Sequence, residues 1–115
     1  MLNISKVYII FVVLSSVYSA LPLEGWREIS IELRRAVGSA YTAAKHLQVT
    51  FISMLKAYEK MNTGPDKDYY LVSFIADCND GNRKECQAYV LWRFNPTFER
   101  KVTSARCRPV SQPEY

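Results

Sequence analysis

At Gln48 the apolar pattern of this chain changes its period. Upstream, Ile29, Leu33, Ala36, Val37, Ala40, Ala43, Ala44 and Leu47 recur at intervals of three and four. That spacing lays one apolar stripe along a helix from about Ser30 to His46. Alanine dominates the stripe, so whatever packs on it must come close. Gly38, inside the same segment, costs about 1 kcal/mol relative to alanine in a helix and marks a close approach of backbone. Downstream the period is two. Val49, Phe51, Ser53, Leu55 and Ala57 alternate with Thr50, Ile52, Met54 and Lys56, the pattern of a strand buried on one face. Tyr69–Ile75, Gln87–Phe94 and about Arg100–Arg106 follow as further strands, rich in β-branched and aromatic residues. Gly64-Pro65, Asp80-Gly81 and Asn95-Pro96-Thr97 supply the turns between them. One helix followed by four consecutive strands defines an α+β chain. The expected architecture is an antiparallel meander with the helix laid across one face.

The start of the chain reads as an address. Residues 1–19 carry one charged side chain, Lys6, followed by the apolar run VYIIFVVLSSVY at 7–18. That run is short of the roughly 20 residues a bilayer span needs. Val17-Tyr18-Ser19 fits a cleavage site before Ala20, so 1–19 is expected to be a secretory signal peptide. Residues 20–107 then form one domain, and 108–115, with two prolines, a flexible tail. The expected location is extracellular, without stable membrane insertion.

Three cysteines lie in the second half, Cys78, Cys86 and Cys107. In a secreted chain this count gives one disulfide and one remaining thiol. The midpoint of Cys86 and Cys107 falls between Pro96 and Thr97, so the pair would face each other across the last hairpin. The midpoint of Cys78 and Cys86 falls at Asn82, in the preceding turn, and that pairing fits the spacing as well.

The net charge is +4, and its basic residues are dispersed: Arg34-Arg35, Arg83-Lys84, Arg100-Lys101, Arg106 and Arg108. A nucleic-acid groove calls for a clustered basic stripe instead, so no nucleic-acid partner is expected. One histidine, His46, and no Cys-x-x-Cys pair leave no metal-ligand set. No nucleophile, base and orienter can be assembled from the sequence. The chain is therefore expected to be neither an enzyme nor a holder of cofactor or metal.

Taken in order, these parts resemble the secreted cystatins, inhibitors of papain-like cysteine proteases. Gly25-Trp26 looks like the glycine before that family's first strand. The helix falls where the family's helix falls. The stretch YYLVSFIADCNDGNRKECQAYVLWRFNPTFERKVTSARC (69–107) is similar to the family's strand–Cys–strand–turn–strand–Cys ending. The resemblance implies a cystatin-like antiparallel sheet wrapped over one long α-helix. It also implies a Cys86–Cys107 bridge and a Cys78 whose partner is missing. A monomer is expected, with Cys78 or hairpin swapping as the routes to a dimer.

What the resemblance implies for function is inhibition without chemistry: three projections enter a protease cleft side by side. Here they would be Gly25 and Trp26; a first turn of pattern Gln-x-Val-x-Gly at Lys60, Met61, Asn62, Thr63 and Gly64; and a second turn of pattern Pro-Trp at Pro96 and Thr97. Rigid turns carrying apolar contacts lose little conformational entropy on binding. The chain departs from the pattern at Lys60, Asn62 and Thr97, with Phe98 standing next to the missing tryptophan. The expected function is thus non-covalent occlusion of a papain-like protease. The alternative is a non-inhibitory extracellular binding protein that has lost the two loop motifs.

Overall fold

The computed structural model describes residues 24–110. The expected signal peptide (1–19), the segment 20–23 and the end of the expected tail (111–115) lie outside the described residues.

Among the described residues five strands and one helix follow in the order β1 (Trp26–Ile29), α1 (Arg34–Leu47), β2 (Thr50–Lys60), β3 (Lys67–Asp77), β4 (Arg83–Arg93) and β5 (Glu99–Pro109). All five strands join one sheet in sequence order, each antiparallel to the next. Short turns make this the natural arrangement, because an antiparallel neighbour needs only a tight connection. On one face Tyr70, Val72, Phe74 and Ala76 of β3 and Cys86, Ala88, Val90 and Trp92 of β4 are buried against α1. The helix meets them with Ala36, Ala40, Ala43 and Ala44. Small residues let the helix backbone come down onto the sheet. Gly38 shows how far: a Cβ there would stand 3.3 Å from two ring carbons of Trp92 and from the Arg100 guanidinium. The indole of Trp92 is locked in that slot by a 2.8 Å hydrogen bond from its Nε1 to Ser39 Oγ.

The structure corrects the expected fold of one long helix under a wrapped sheet. Among the described residues only Arg34–Leu47 is helical, 14 residues, and a five-stranded antiparallel sheet with four 11-residue strands carries the fold. The physical cause lies in Ser30–Leu33. Ser30 Oγ accepts the Glu32 amide hydrogen at 3.1 Å and its carbonyl accepts from Leu33. This local turn competes with helix for the same backbone groups. Leu33, at φ −66° and ψ 140°, takes the N-cap position with no side-chain cap. At the other end Gln48 adopts φ 61°, and the amides of Gln48 and Val49 donate to the Lys45 and Ala44 carbonyls. That closes the helix one residue past His46. The additional strand, Trp26–Ile29, is short and follows directly on Gly25.

The alternation expected for β2 is also revised. Between Phe51 and Ser53, and again between Met54 and Lys56, the register against β3 slips. Each β-bulge advances the phase by one residue. Phe51, Met54 and Ala57 therefore turn toward the core, in place of Phe51, Ser53, Leu55 and Ala57. Ile52 and Leu55, the extra residues, are exposed.

The last hairpin follows the expected geometry. Cys86 stands opposite Cys107 in the β4–β5 register, and the two form a disulfide. Cys78 is a free thiol. Strand β5 runs on to Pro109, so Arg108 and Pro109 belong to the sheet.

Candidate functional site: a three-turn end of the sheet

In an antiparallel sheet with sequential order, alternate connections fall at the same end. The start of β1, the β2–β3 turn and the β4–β5 turn thus share one end of this molecule. Two hydrogen bonds tie them edge to edge. The Met61 amide donates to the Gly25 carbonyl at 2.7 Å, joining the first segment to the first turn. The Phe94 amide donates to the Asp66 carbonyl at 2.8 Å, joining the first turn to the second. Asn95 Nδ2 adds a 3.3 Å bond to Asp66 Oδ1.

Within the first turn, Gly64 has φ +90° and open space around it, a conformation that side chains strain. Asn62 also takes a positive φ, 62°, which asparagine tolerates better than most residues. Lys60 ends β2 with its ammonium 5.4 Å from the Tyr69 ring centre. Met61 is exposed and Thr63 half-buried. In the second turn Pro96, in a cis bond with Asn95, and Thr97 are exposed. Gly25, Lys60, Met61, Asn62, Thr63, Gly64, Pro96 and Thr97 are thus collected at one end. Trp26 is placed differently. Its ring packs edge-on against Tyr89 at 5.7 Å. Its neighbour Arg27 instead pairs with Glu59, and side chains alternate between faces along a strand. Trp26 is therefore engaged on the sheet face opposite α1.

Two further features mark this end. The first is Phe98, 59 % exposed. It leans edge-on against Trp92 at 5.8 Å and lies 6.1 Å from Phe94. Arg100 and Arg35 flank the group, with guanidinium carbons 5.1 Å from the Trp92 ring centre and 4.7 Å from that of Phe94. Phe98 and Met61 are the large apolar side chains left uncovered on the two turns.

The second is a polar cluster beneath the first turn. Buried Asp68 accepts from the Tyr69 amide at 2.9 Å and from Thr63 Oγ1 at 3.4 Å, both through Oδ1. Its Oδ2 lies 3.1 Å from the Tyr70 hydroxyl, which is 3.3 Å from Glu59 Oε2. Arg35 Nη1 donates to the Tyr70 oxygen at 3.3 Å, and Arg27 forms a 2.7 Å ion pair with Glu59. Burial, then the neighbouring Glu59 carboxylate, push Asp68 up to about 6. The nearness of Asp68, which takes the proton, reinforced by Arg27, holds Glu59 below the usual carboxylate range. Burial pushes Tyr70 up to about 12, so it stays a hydroxyl.

At the opposite end, Leu47, Val49, Cys78, Asp80, Lys84 and Cys107 line an open cleft of about 380 Å³. It brings the free thiol near the disulfide and is remote from the turns. Among the described residues no group of three or more His, Cys, Asp or Glu is placed to hold a metal ion.

Fold and site together define a small, disulfide-closed, single-sheet protein that presents three adjacent turns at one end. The disulfide marks an oxidising, extracellular setting. No family model matches the chain and no solved structure matches it. It is similar to insoluble matrix shell protein 2 of Ruditapes philippinarum, 33 % identical over 97 residues, which cover 84 % of this chain and 80 % of that protein. The chain belongs to the family of that shell protein.

Proposed function

We propose that the protein is secreted and works by fit, its three-turn end entering the cleft of a partner protein and blocking it. The target class to which the sequence resemblance points is the papain-like cysteine proteases. The observation that carries this reading is the pair of hydrogen bonds, Met61 to Gly25 and Phe94 to Asp66, that set three turns in one row. A row fixed by the backbone is pre-organised, so association forfeits little chain entropy. Met61 and Phe98 provide the apolar contacts, a role in which exposed aromatics dominate interface energy. Titrating the protein from Ala20 onward against several papain-like enzymes tests the proposal. Inhibition at or below micromolar concentration is expected, and its absence across the panel removes the proposal.

A second reading is a non-inhibitory extracellular binding protein, a component of a matrix. It is favoured by Lys60, Asn62 and Thr97, which depart from the inhibitory motifs, and by the relative's description as an insoluble matrix shell protein. The triple variant K60Q/N62V/T97W separates the two. Inhibition that appears only in the triple variant selects the second reading.

A further inference from the structure

The Tyr70 hydroxyl has one hydrogen and stands between two carboxylates. Asp68 Oδ2 is 3.1 Å away and Glu59 Oε2 is 3.3 Å away. If both carboxylates were ionised, one of these contacts would set lone pair against lone pair with no hydrogen between. One added proton completes the set. With the proton on Asp68 Oδ2, the carboxyl donates to the Tyr70 oxygen and Tyr70 donates to Glu59. Arg35 Nη1 fills the second lone pair of the Tyr70 oxygen from 3.3 Å. Every polar atom of the triad is then satisfied.

This triad sits at the root of the first turn, because the other oxygen of Asp68 accepts from Thr63 and from the Tyr69 amide. We propose that Asp68, Tyr70 and Glu59 form a one-proton lock on the β2–β3 turn, engaged in mildly acidic surroundings and released at neutral pH, which regulates binding by the three-turn end. The regulatory part rests on that end being the binding end. The lock itself does not.

The charged groups around it come from β1 and α1. Arg27 of β1 pairs with Glu59. Arg35 of α1 lies 3.9 Å from Asp68 Oδ2. Trp92 of β4, opposite Asp68 in the register, is uncharged. Two carboxylates thus face two guanidiniums, Arg27 mostly and Arg35 half exposed to water, which screens them more than it screens the carboxylates. The carboxylates are the buried partners, so their mutual repulsion is the less screened term. Burial and the Glu59 charge accordingly hold the Asp68 proton until about pH 6. Above that, the repulsion falls on the residue that anchors Thr63.

The test needs no protease. Amide and carboxyl NMR shifts of the protein from Ala20 onward are followed from about pH 5 to about pH 7.5. Thr63, Gly64 and Tyr69 are expected to titrate together with the Asp68 carboxyl, with a midpoint near 6. In Asp68→Asn, whose amide keeps the shape and supplies the donor, these amides should not move. In Glu59→Gln the midpoint should fall, because the neighbouring charge is gone. The lock is overturned if the turn amides do not titrate in this window, or if they titrate equally in Asp68→Asn. A midpoint unmoved in Glu59→Gln overturns it as well. If the turn titrates while no enzyme is inhibited, the lock stands and the inhibitor reading falls.

Discussion

The indole Nε1 of Trp92 donates to Ser39 Oγ at 2.8 Å, across the interface between β4 and α1, with both residues buried. This bond fixes the floor of the second turn, since Phe98 and Arg100 lean on the same indole. Ser39→Ala leaves a buried N–H without an acceptor, a cost of about 1–3 kcal/mol. Denaturant unfolding is expected to show that loss, and an unchanged midpoint would mean the indole finds another partner.

One residue earlier, Gly38→Ala sets two effects against each other. Alanine favours a helix over glycine by about 1 kcal/mol. The new methyl, however, meets Trp92 and Arg100 at 3.3 Å, and overpacking costs about 1–3 kcal/mol. Trp92 is clamped by Ser39 and cannot yield easily, so crowding wins. The melting temperature should fall. A rise would show that the helix has slack over the sheet.

The Cys86–Cys107 bridge spans a sequence separation of 21. Closing a loop of that size stabilises by about 3 kcal/mol in the chain-entropy account. Cys86→Ser/Cys107→Ser, or reduction, should lower stability by about that amount. Cys78→Ser should leave it within about 0.5 kcal/mol. Urea midpoints for the variants decide this, and a large loss in Cys78→Ser would contradict the assignment.

Stability should also depend on pH through Asp68. Its pKa rises from 3.8 to about 6 on folding, so its stabilising contribution is complete below the lower value and is lost as pH climbs through the upper one. Glu59, held below 4.5, acts in the opposite sense: its contribution is present at neutral pH and lost only as pH falls under its lowered value. Between about pH 5 and about pH 7.5 the Asp68 effect therefore governs the difference between wild type and Asp68→Asn. The wild-type melting temperature should drop relative to that variant as pH rises. Parallel curves would contradict the cluster's role.

For binding, Phe98→Ala is the most informative change. Its loss of aromatic contact costs about 1 kcal/mol of stability. Against any enzyme that the wild type blocks, the inhibition constant should rise about tenfold or more. An unchanged constant would take Phe98 out of the contact surface.

Single elements of this architecture were legible in the sequence because periodicity reports burial directly. The switch at Gln48 separates helix from strand, and the hairpin midpoint between Pro96 and Thr97 places Cys86 opposite Cys107. Where periodicity failed, the cause is local. Four residues, Trp26–Ile29, are too few to establish alternation. The slips around Ile52 and Leu55 displace a pattern that otherwise reads as regular. Ser30 diverts the first helical turn through its own hydroxyl. The candidate turns were legible because glycine and proline announce them. The Asp68–Tyr70–Glu59 group was not, since Glu59 lies on β2 and the other two on β3, and they meet only once the β2–β3 register is known.

Strand β1 pairs only with Ala57–Lys60, so the stretch from Thr50 to Lys56 is left without a neighbour on that side among the described residues. It carries apolar Ile52 and Leu55 in the open, a combination that in a flat ribbon would recruit other copies. Both irregularities of β2 fall in this stretch, and each bends and twists the ribbon away from the plane in which another molecule could dock. On that side the sheet accordingly offers a second copy a crooked template instead of a flat one.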